Sequence, residues 1–329
     1  MQTSTNPYDG VDMHRRMVGD ETRTRAFHDS IRAIVKEGMV VLDVGAGSGI
    51  LSLFAAQAGA SRVYGMERAP GAASLARRLV ADNGFSSVVQ IIEASAETAV
   101  LPERVDVIVS EWLGVFGVDE NMLAPVLIAR DRWLKPNGSL IPSSATAWIA
   151  PVWHAAGEEA TAFRTRPYGL NLSAMAPFSH NQAIWLPNGV VEDDLSAEPQ
   201  KLWVTDCATM PASEASTPYA AELTFKLKRD GVNGVVTWFS CDMPGGITLC
   251  NGPGHPLTHW GQFLFPISNG RNCAAGGEIK IGFHNVPAGR FGSHHIWASR
   301  VEGQPFEVHD TRRYARANLE PPWRIFQAS

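Results

Sequence analysis

The sequence predicts an α/β half followed by an all-β half, and three observations carry that expectation. Up to about residue 142, short apolar runs alternate with helical patterns, which implies a parallel sheet with helices on both faces. After Pro142 the runs alternate or stay apolar between Gly, Pro and Asn turns, which fits antiparallel strands in a barrel or sandwich. Within that second half, GEEATAFRTR and YGLNLSAMAPF read as a helical excursion over about 153–188. The expected segments are 1–36, 37–142 and 143–329.

In the first half, MVVLDV (39–44), RVYGME (62–67), VVQII (88–92) and VDVIVS (105–110) read as buried strands. Ile50–Ala58 and Ala69–Asn83 read as helices between them. Val126, Leu127, Arg130 and Leu134 recur at helical spacing and predict a helix over Asn121–Leu134. Lys135-Pro136-Asn137-Gly138 reads as its stop. In the second half ELTFKLK, VVTWFSC, GEIKIGF and HHIWASR are the strand candidates.

Composition narrows the function classes. The 329 residues are 45% apolar and 19% charged, an ordinary globular balance with room for two domains. A formal net charge of −5 argues against nucleic acid as the main partner. The polar start, MQTSTNPYDG, lacks a signal-peptide pattern, and Asp43 and four glycines interrupt the most apolar stretch, Val40 to Ala60. No membrane association is expected. The four cysteines lack CxxC spacing, which argues against a zinc site and suits a reducing, cytoplasmic location. No metal is expected.

The segment Val41-Leu-Asp-Val-Gly-Ala-Gly-Ser-Gly-Ile50 follows a strand and opens a helix. Gly45, Gly47 and Gly49 let the backbone turn tightly and approach a ligand. The spacing is GxGxG, not the GxGxxG of a dinucleotide site. Glu67 ends the next strand, where a carboxylate accepts hydrogen bonds from ribose hydroxyls. Asp43, the glycines and Glu67 together favour an adenosine-type methyl donor. A dehydrogenase, or a glycine turn that only packs a helix on a strand, stays open as an alternative.

Ser110-Glu111-Trp112-Leu113-Gly114 follows the fourth strand, and Glu120 comes nine residues after Glu111. Ligands in open α/β sheets sit at the carboxyl ends of strands, so this loop faces the donor site. Two convergent carboxylates grip a planar guanidinium in bidentate fashion. Taken singly, each glutamate reads equally as a helix cap or a surface charge.

At this point the sequence resembles the protein arginine methyltransferase family. SEWLGVFGVDENML (110–123) is similar to the family's double-glutamate loop. His14-Arg-Arg-Met17-Val-Gly-Asp20-Glu21-Thr-Arg23-Thr24 resembles its N-terminal motif, and Thr258-His259-Trp260 its late Thr-His-Trp loop. The resemblance spans about residues 8 to 300. It implies a Rossmann-like methyltransferase domain with a parallel-rich sheet, preceded by helices covering the donor site. An antiparallel β-barrel with a helical dimerisation arm would follow, giving a homodimer. It implies S-adenosylmethionine as donor and S-adenosylhomocysteine as product.

The resemblance also implies residue roles. Arg23 would clamp the donor's carboxylate, Gly45 and Gly47 would line its methionine portion, and Glu67 its ribose. Ala96 and Glu97 would flank the adenine, with His14 and Met17 also on the donor side. Glu111 and Glu120 would hold the guanidinium, and His259 would pair with Asp20 to take part in proton loss. Tyr8, Met122 and Trp260 would help shape the acceptor side. Met17 and Met122 match methionines that crowd the pocket in members forming mono- and asymmetric dimethylarginine.

Val115 and Asp119 stand where the family usually has aromatic residues. Asp119 reads either as a solvated loop charge or as a contact to a second positive group, such as the α-ammonium of free L-arginine. The expected acceptor is therefore arginine in a protein or peptide, with free L-arginine as the alternative. A non-catalytic donor-binding scaffold is the remaining reading.

Overall fold

The apolar runs of the first half pair into a five-stranded parallel sheet in a computed structural model that describes residues 11–161, 167–289 and 292–315. Its strands are β1 (Val40–Val44), β2 (Arg62–Glu67), β3 (Val89–Glu93), β4 (Val105–Val109) and β5 (Leu134–Ile141), in the order β3-β2-β1-β4-β5. Helices α1 (Val11–Gly19) and α2 (Glu21–Ile34) precede the sheet, and α3 (Ile50–Gln57), α4 (Pro70–Asp82) and α5 (Leu123–Trp133) connect its strands. Every residue of β1 is buried, as expected for a central strand covered on both faces. The chain winds outward on one side of β1 through β2 and β3, then crosses to β4 on the other. That switch point opens a crevice at the strands' carboxyl ends.

The expected strands and helices of this half are present within a residue or two, but β5 was not foreseen. α5 stops at Trp133 and β5 begins at once, carrying Lys135-Pro136-Asn137-Gly138 within it. Its register on β4 jumps between the Val105–Leu134 and Val107–Ser139 pairs, so the turn-like residues bulge out of the ladder. β5 lies at the sheet edge, where a proline and a bulge are tolerated.

The second half contributes β6 (Ser144–Val152), β7 (Ile184–Leu186), β8 (Gln200–Asp206), β9 (Tyr219–Lys226), β10 (Gly234–Met243), β11 (Ile247–Cys250), β12 (Gln262–Pro266), β13 (Glu278–Pro287), β14 (Ser293–Val301) and β15 (Glu307–Asp310). One antiparallel sheet runs β7-β12-β10-β6-β8 with β11 on β10, and a second runs β15-β14-β13-β9. Between β6 and β7 the chain leaves the sheet through α6 (Ala155–Thr161) and α7 (Ala176–His180), as the helical excursion predicts.

Of the four apolar clusters buried among the described residues, two position the site. The first surrounds the parallel sheet and continues past residue 142 to take in Phe239, Leu249 and Trp260. The second lies in the antiparallel half and includes Phe116, which arrives from the loop after β4. The fully buried Phe116 ring meets Trp203, Phe263, Phe265, Phe283 and His295 at centroid distances of 5.5–6.5 Å. The loop carrying both glutamates is thereby pinned into the other half of the molecule.

Candidate active site

A cavity of about 660 Å³ opens where β1, β2 and β4 end, walled by α1, the glycine loop and the segment around His259. That volume suits a nucleoside-sized ligand. Its floor is bare backbone. Gly45 and Gly47 have φ of 75° and 55°, in the left-handed region that favours glycine. A Cβ on Gly47 would lie 3.0 Å from His14 Cε1, and one on Gly45 would lie 3.6 Å from Met122 Cε. Glu67 at the end of β2 braces the floor: its Oε2 accepts from Gly47 N at 2.9 Å and its Oε1 from Ala69 N at 2.7 Å. Each oxygen keeps a further lone pair for a ligand in the cavity it lines.

Of the residues singled out from sequence, His14, Met17, Arg23, Gly45, Gly47, Glu67, Ala96, Glu97, Glu111, Glu120, Met122, His259 and Trp260 all line this one cavity. Tyr8 lies outside the described residues. Three others do not reach the cavity wall. Asp20 acts on it through His259. Asp43 and Asp119 require corrections.

Asp43, read from the sequence as part of the donor site, is wholly buried beneath the glycine loop and does not line the cavity. Its Oδ2 accepts the Ser52 hydroxyl at 2.7 Å, while its Oδ1 has no hydrogen-bond partner among the described residues. Burial pushes its pKa up to about 7, against the Ser52 hydrogen bonds, with Glu67 adding repulsion and Arg23 attraction.

Asp119 is not an acceptor contact either. It is buried inside its own loop, accepting Phe116 N at 3.0 Å on Oδ1 and Val115 N at 3.1 Å on Oδ2. Burial raises its pKa to about 6, opposed by those amides.

Arg23 is held on α2 by Asp20, whose Oδ1 caps the helix by accepting Arg23 N at 3.0 Å. Its side chain reaches Glu111, with Nη2 at 3.2 Å and Nε at 3.4 Å from Oε2. Glu111 Oε1 accepts Leu113 N at 3.0 Å, so both carboxylate oxygens are engaged. Nη1 of Arg23 also reaches the Met17 carbonyl at 3.4 Å. The guanidinium has more N–H groups than these contacts use, and it lines the cavity.

Asp20 Oδ2 accepts both the backbone N–H of His259 at 2.7 Å and ring Nδ1 at 2.8 Å. Burial raises the pKa of Asp20, but the His259 ring and the Arg23 and His259 amides outweigh it, so the carboxyl sits below its ordinary value. With Nδ1 committed to Asp20, Nε2 is the imidazole nitrogen left for other work. The Trp260 ring lies 4.2 Å from the His259 ring and donates Nε1 to the Leu113 carbonyl at 2.8 Å. It therefore joins the histidine to the glutamate loop.

The protein arginine N-methyltransferase 6 of Xenopus laevis is 35% identical over 267 residues, covering 78% of this chain and 78% of its own length. The chain belongs to the protein arginine N-methyltransferase family. The protein arginine N-methyltransferase PRMT10 of Arabidopsis thaliana is 34% identical over 304 residues, covering 81% of this chain and 78% of its own. Residues 143–295 match the arginine methyltransferase oligomerization subdomain, and residues 19–160 match the ribosomal protein L11 methyltransferase (PrmA) model. The solved Trypanosoma brucei PRMT1 enzyme-prozyme heterotetrameric complex with AdoHcy aligns with a TM-score of 0.83 and 28% identity, over 93% of this chain and 99% of that one.

Sequence reasoning missed several residues of this family member's site. Arg132 on α5 donates to the carbonyls of Ala96, Glu97 and Ala99 at 2.5, 3.0 and 2.8 Å, and so holds the loop that carries Ala96 and Glu97. Trp185 and Phe263, paired across β7 and β12, extend the cavity wall away from the glycine loop. Trp185 Nε1 is tied to the Trp260 carbonyl at 2.7 Å. No local pattern announces these residues, because helix α5 carries Arg132 to the 96–99 loop and strand pairing brings Trp185 and Phe263 together from distant sequence.

Proposed function

We propose that the chain transfers a methyl group from S-adenosylmethionine to a guanidinium nitrogen of arginine in a protein or peptide. The observation that carries this reading is the convergence of Glu111 and Glu120 on one cavity with the glycine floor. The residues present fit the donor group: a Cβ at Gly47 would crowd His14 at 3.0 Å, so the floor is kept as bare backbone, and Glu67 lines the same cavity, where its carboxylate would take the ribose. Arg23 faces the donor's carboxylate, and Ala96 and Glu97 flank its base. The donor supplies, when bound, an electrophilic methyl on a positively charged sulfur.

The protein's own groups do the rest. Glu111 already accepts one guanidinium, that of Arg23, so its oxygens are placed for this recognition chemistry. Together with Glu120 it draws the acceptor's positive charge away from the reacting nitrogen, which restores that nitrogen's lone pair. The two carboxylates also fix the guanidinium plane, so that one nitrogen is aligned for attack. That nitrogen forms the new C–N bond as the methyl's bond to the donor sulfur breaks, the electron pair staying on sulfur so that S-adenosylhomocysteine leaves as a neutral thioether, and the nitrogen gives up a proton. Glu120 or the Nε2 of His259, backed by Asp20, receives it. Met17 and Met122 line the same cavity, which supports mono- or asymmetric dimethylation over symmetric dimethylation.

Free L-arginine loses the feature that spoke for it, because the Asp119 carboxylate is turned into its own loop. The decisive experiment gives the enzyme labelled donor with an Arg/Gly-rich peptide or free L-arginine. Label is expected on the peptide, with turnover reduced by at least about 10²-fold in Glu111→Gln and Glu120→Gln. Near wild-type turnover in both variants rejects the two-glutamate mechanism, and label on free arginine alone rejects the peptide acceptor. Donor binding without transfer to any arginine compound supports a scaffold instead. Symmetric dimethylarginine in the product would reject the methionine argument.

The domain division and assembly belong to the same proposal. Ile141 ends the parallel sheet and Ser144 opens the antiparallel half, which supports a boundary near 142 and a barrel made from the two antiparallel sheets. α1 and α2 cover the donor site. The excursion exposes Tyr168, Leu170, Met175 and Phe178, which supports a homodimer through an arm at about 153–188. Light scattering reads the mass directly. Among the described residues no helix is long and apolar enough to cross a membrane. The four cysteines are unpaired, which supports a cytoplasmic location.

A further inference from the structure

We propose that Asp119 is a positioning residue for the methylation reaction: it builds the turn that carries Glu120 and thereby sets Glu120 relative to Glu111. The inference rests on the arginine reading above. The span from Glu111 to Glu120 folds back on itself, with Gly114 and Gly117 exchanging backbone hydrogen bonds of 2.8 and 3.3 Å. Inside that turn the amides of Val115 and Phe116 point inward, and the Asp119 carboxylate accepts both. The fit is close: a Cβ on Gly114 would stand 2.4 Å from Asp119 Oδ1.

The outer side of the span is held by neighbours. Trp260 Nε1 donates to the Leu113 carbonyl at 2.8 Å, Asn251 Nδ2 to the Val115 carbonyl at 2.7 Å, and Ser293 Oγ to the Asp119 carbonyl at 2.9 Å. Phe116 is sunk in the aromatic core. The interior of the turn is held by Asp119. Glu120 is the next residue, so any change in the backbone at 119 is carried straight into its side chain. A reacting group misplaced by about 1 Å costs on the order of 10²-fold in rate.

Three variants test the proposal: Asp119→Asn, Asp119→Ala and Gly114→Ala, the last keeping the acid but filling its place with a methyl group. The kcat/KM for an Arg/Gly-rich peptide is expected to fall about 10-fold in the first and about 100-fold in the other two. Calorimetric affinity for S-adenosylhomocysteine is expected to stay within about two-fold of wild type. Hydrogen exchange at the Val115 and Phe116 amides is expected to accelerate while β1 keeps its protection. A purely structural role instead lowers donor affinity and peptide turnover in the same proportion, and that result overturns the proposal. So does an Asp119→Ala enzyme within about two-fold of wild type. If Asp119→Ala does not fold, the other two variants decide by the same criteria. If the wild type methylates no arginine, the arginine reading fails. Exchange at Val115 and Phe116 then stands alone, and unchanged exchange in Asp119→Asn overturns the role of Asp119 in the loop.

Discussion

Replacing Asp43 by asparagine should make stability respond differently to pH, and the size of the effect follows from where the carboxyl sits. Asp43 is fully buried, with one oxygen on Ser52 and the other without a partner among the described residues. Its pKa rises from 3.8 to about 7 on folding, driven by burial. An acid whose folded pKa exceeds its unfolded value holds more protons in the folded state between the two. Wild-type stability therefore falls as pH rises through that interval and levels off above it. At about 1.4 kcal/mol per pK unit the whole interval is worth on the order of 4 kcal/mol, roughly 3 of it between pH 5 and 8. Asparagine does not titrate, though its NH₂ placed at the empty oxygen position costs about 1–3 kcal/mol at every pH. Asp43→Asn should thus be less stable than wild type at pH 5 and should gain on it steadily towards pH 8. Guanidinium unfolding of both proteins at unit pH steps measures the difference, in which titrating groups not coupled to Asp43 cancel. A difference that stays flat within about 0.5 kcal/mol from pH 5 to 8 would refute a protonated Asp43 under the glycine loop.

Three further outcomes test the site's construction. Gly47→Ala places a methyl group 3.0 Å from His14 Cε1 at a φ of 55°, so calorimetric donor affinity should fall by at least about ten-fold, at a strain cost of about 1 kcal/mol or more. Arg132→Met removes the donors from the Ala96, Glu97 and Ala99 carbonyls, so the KM for the donor should rise several-fold while kcat at saturating donor holds. Phe116→Ala empties the centre of the aromatic core and should cost about 3–5 kcal/mol in chemical denaturation, with a raised peptide KM because the glutamate loop loses its anchor.

The parts of the site legible in the sequence share one physical property: their geometry is local. The glycine floor, Glu67 at the end of β2 and Glu111 after β4 follow from strand-turn-helix rules, because in an open α/β sheet every loop after a strand opens on the same edge. The strand β5 escaped because Lys135-Pro136-Asn137-Gly138 is a turn by local preference, and a bulge at a sheet edge overrides that preference at small cost. Arg132 escaped because helix packing sets its contact with the 96–99 loop, and Trp185 and Phe263 because distant strand pairing places them. Asp119 shows a further limit. A charge in a loop beside a glutamate reads as solvent-facing or ligand-facing, since a buried carboxylate without a cation is costly. What reverses that reading is the Gly114–Gly117 turn, which aims two amides at one point, and Phe116, which draws the loop into a core belonging to the other half of the chain. The carboxylate is buried because the loop's own backbone needs an acceptor there. The acid that looked like a second hand on the substrate instead keeps Glu120 in place.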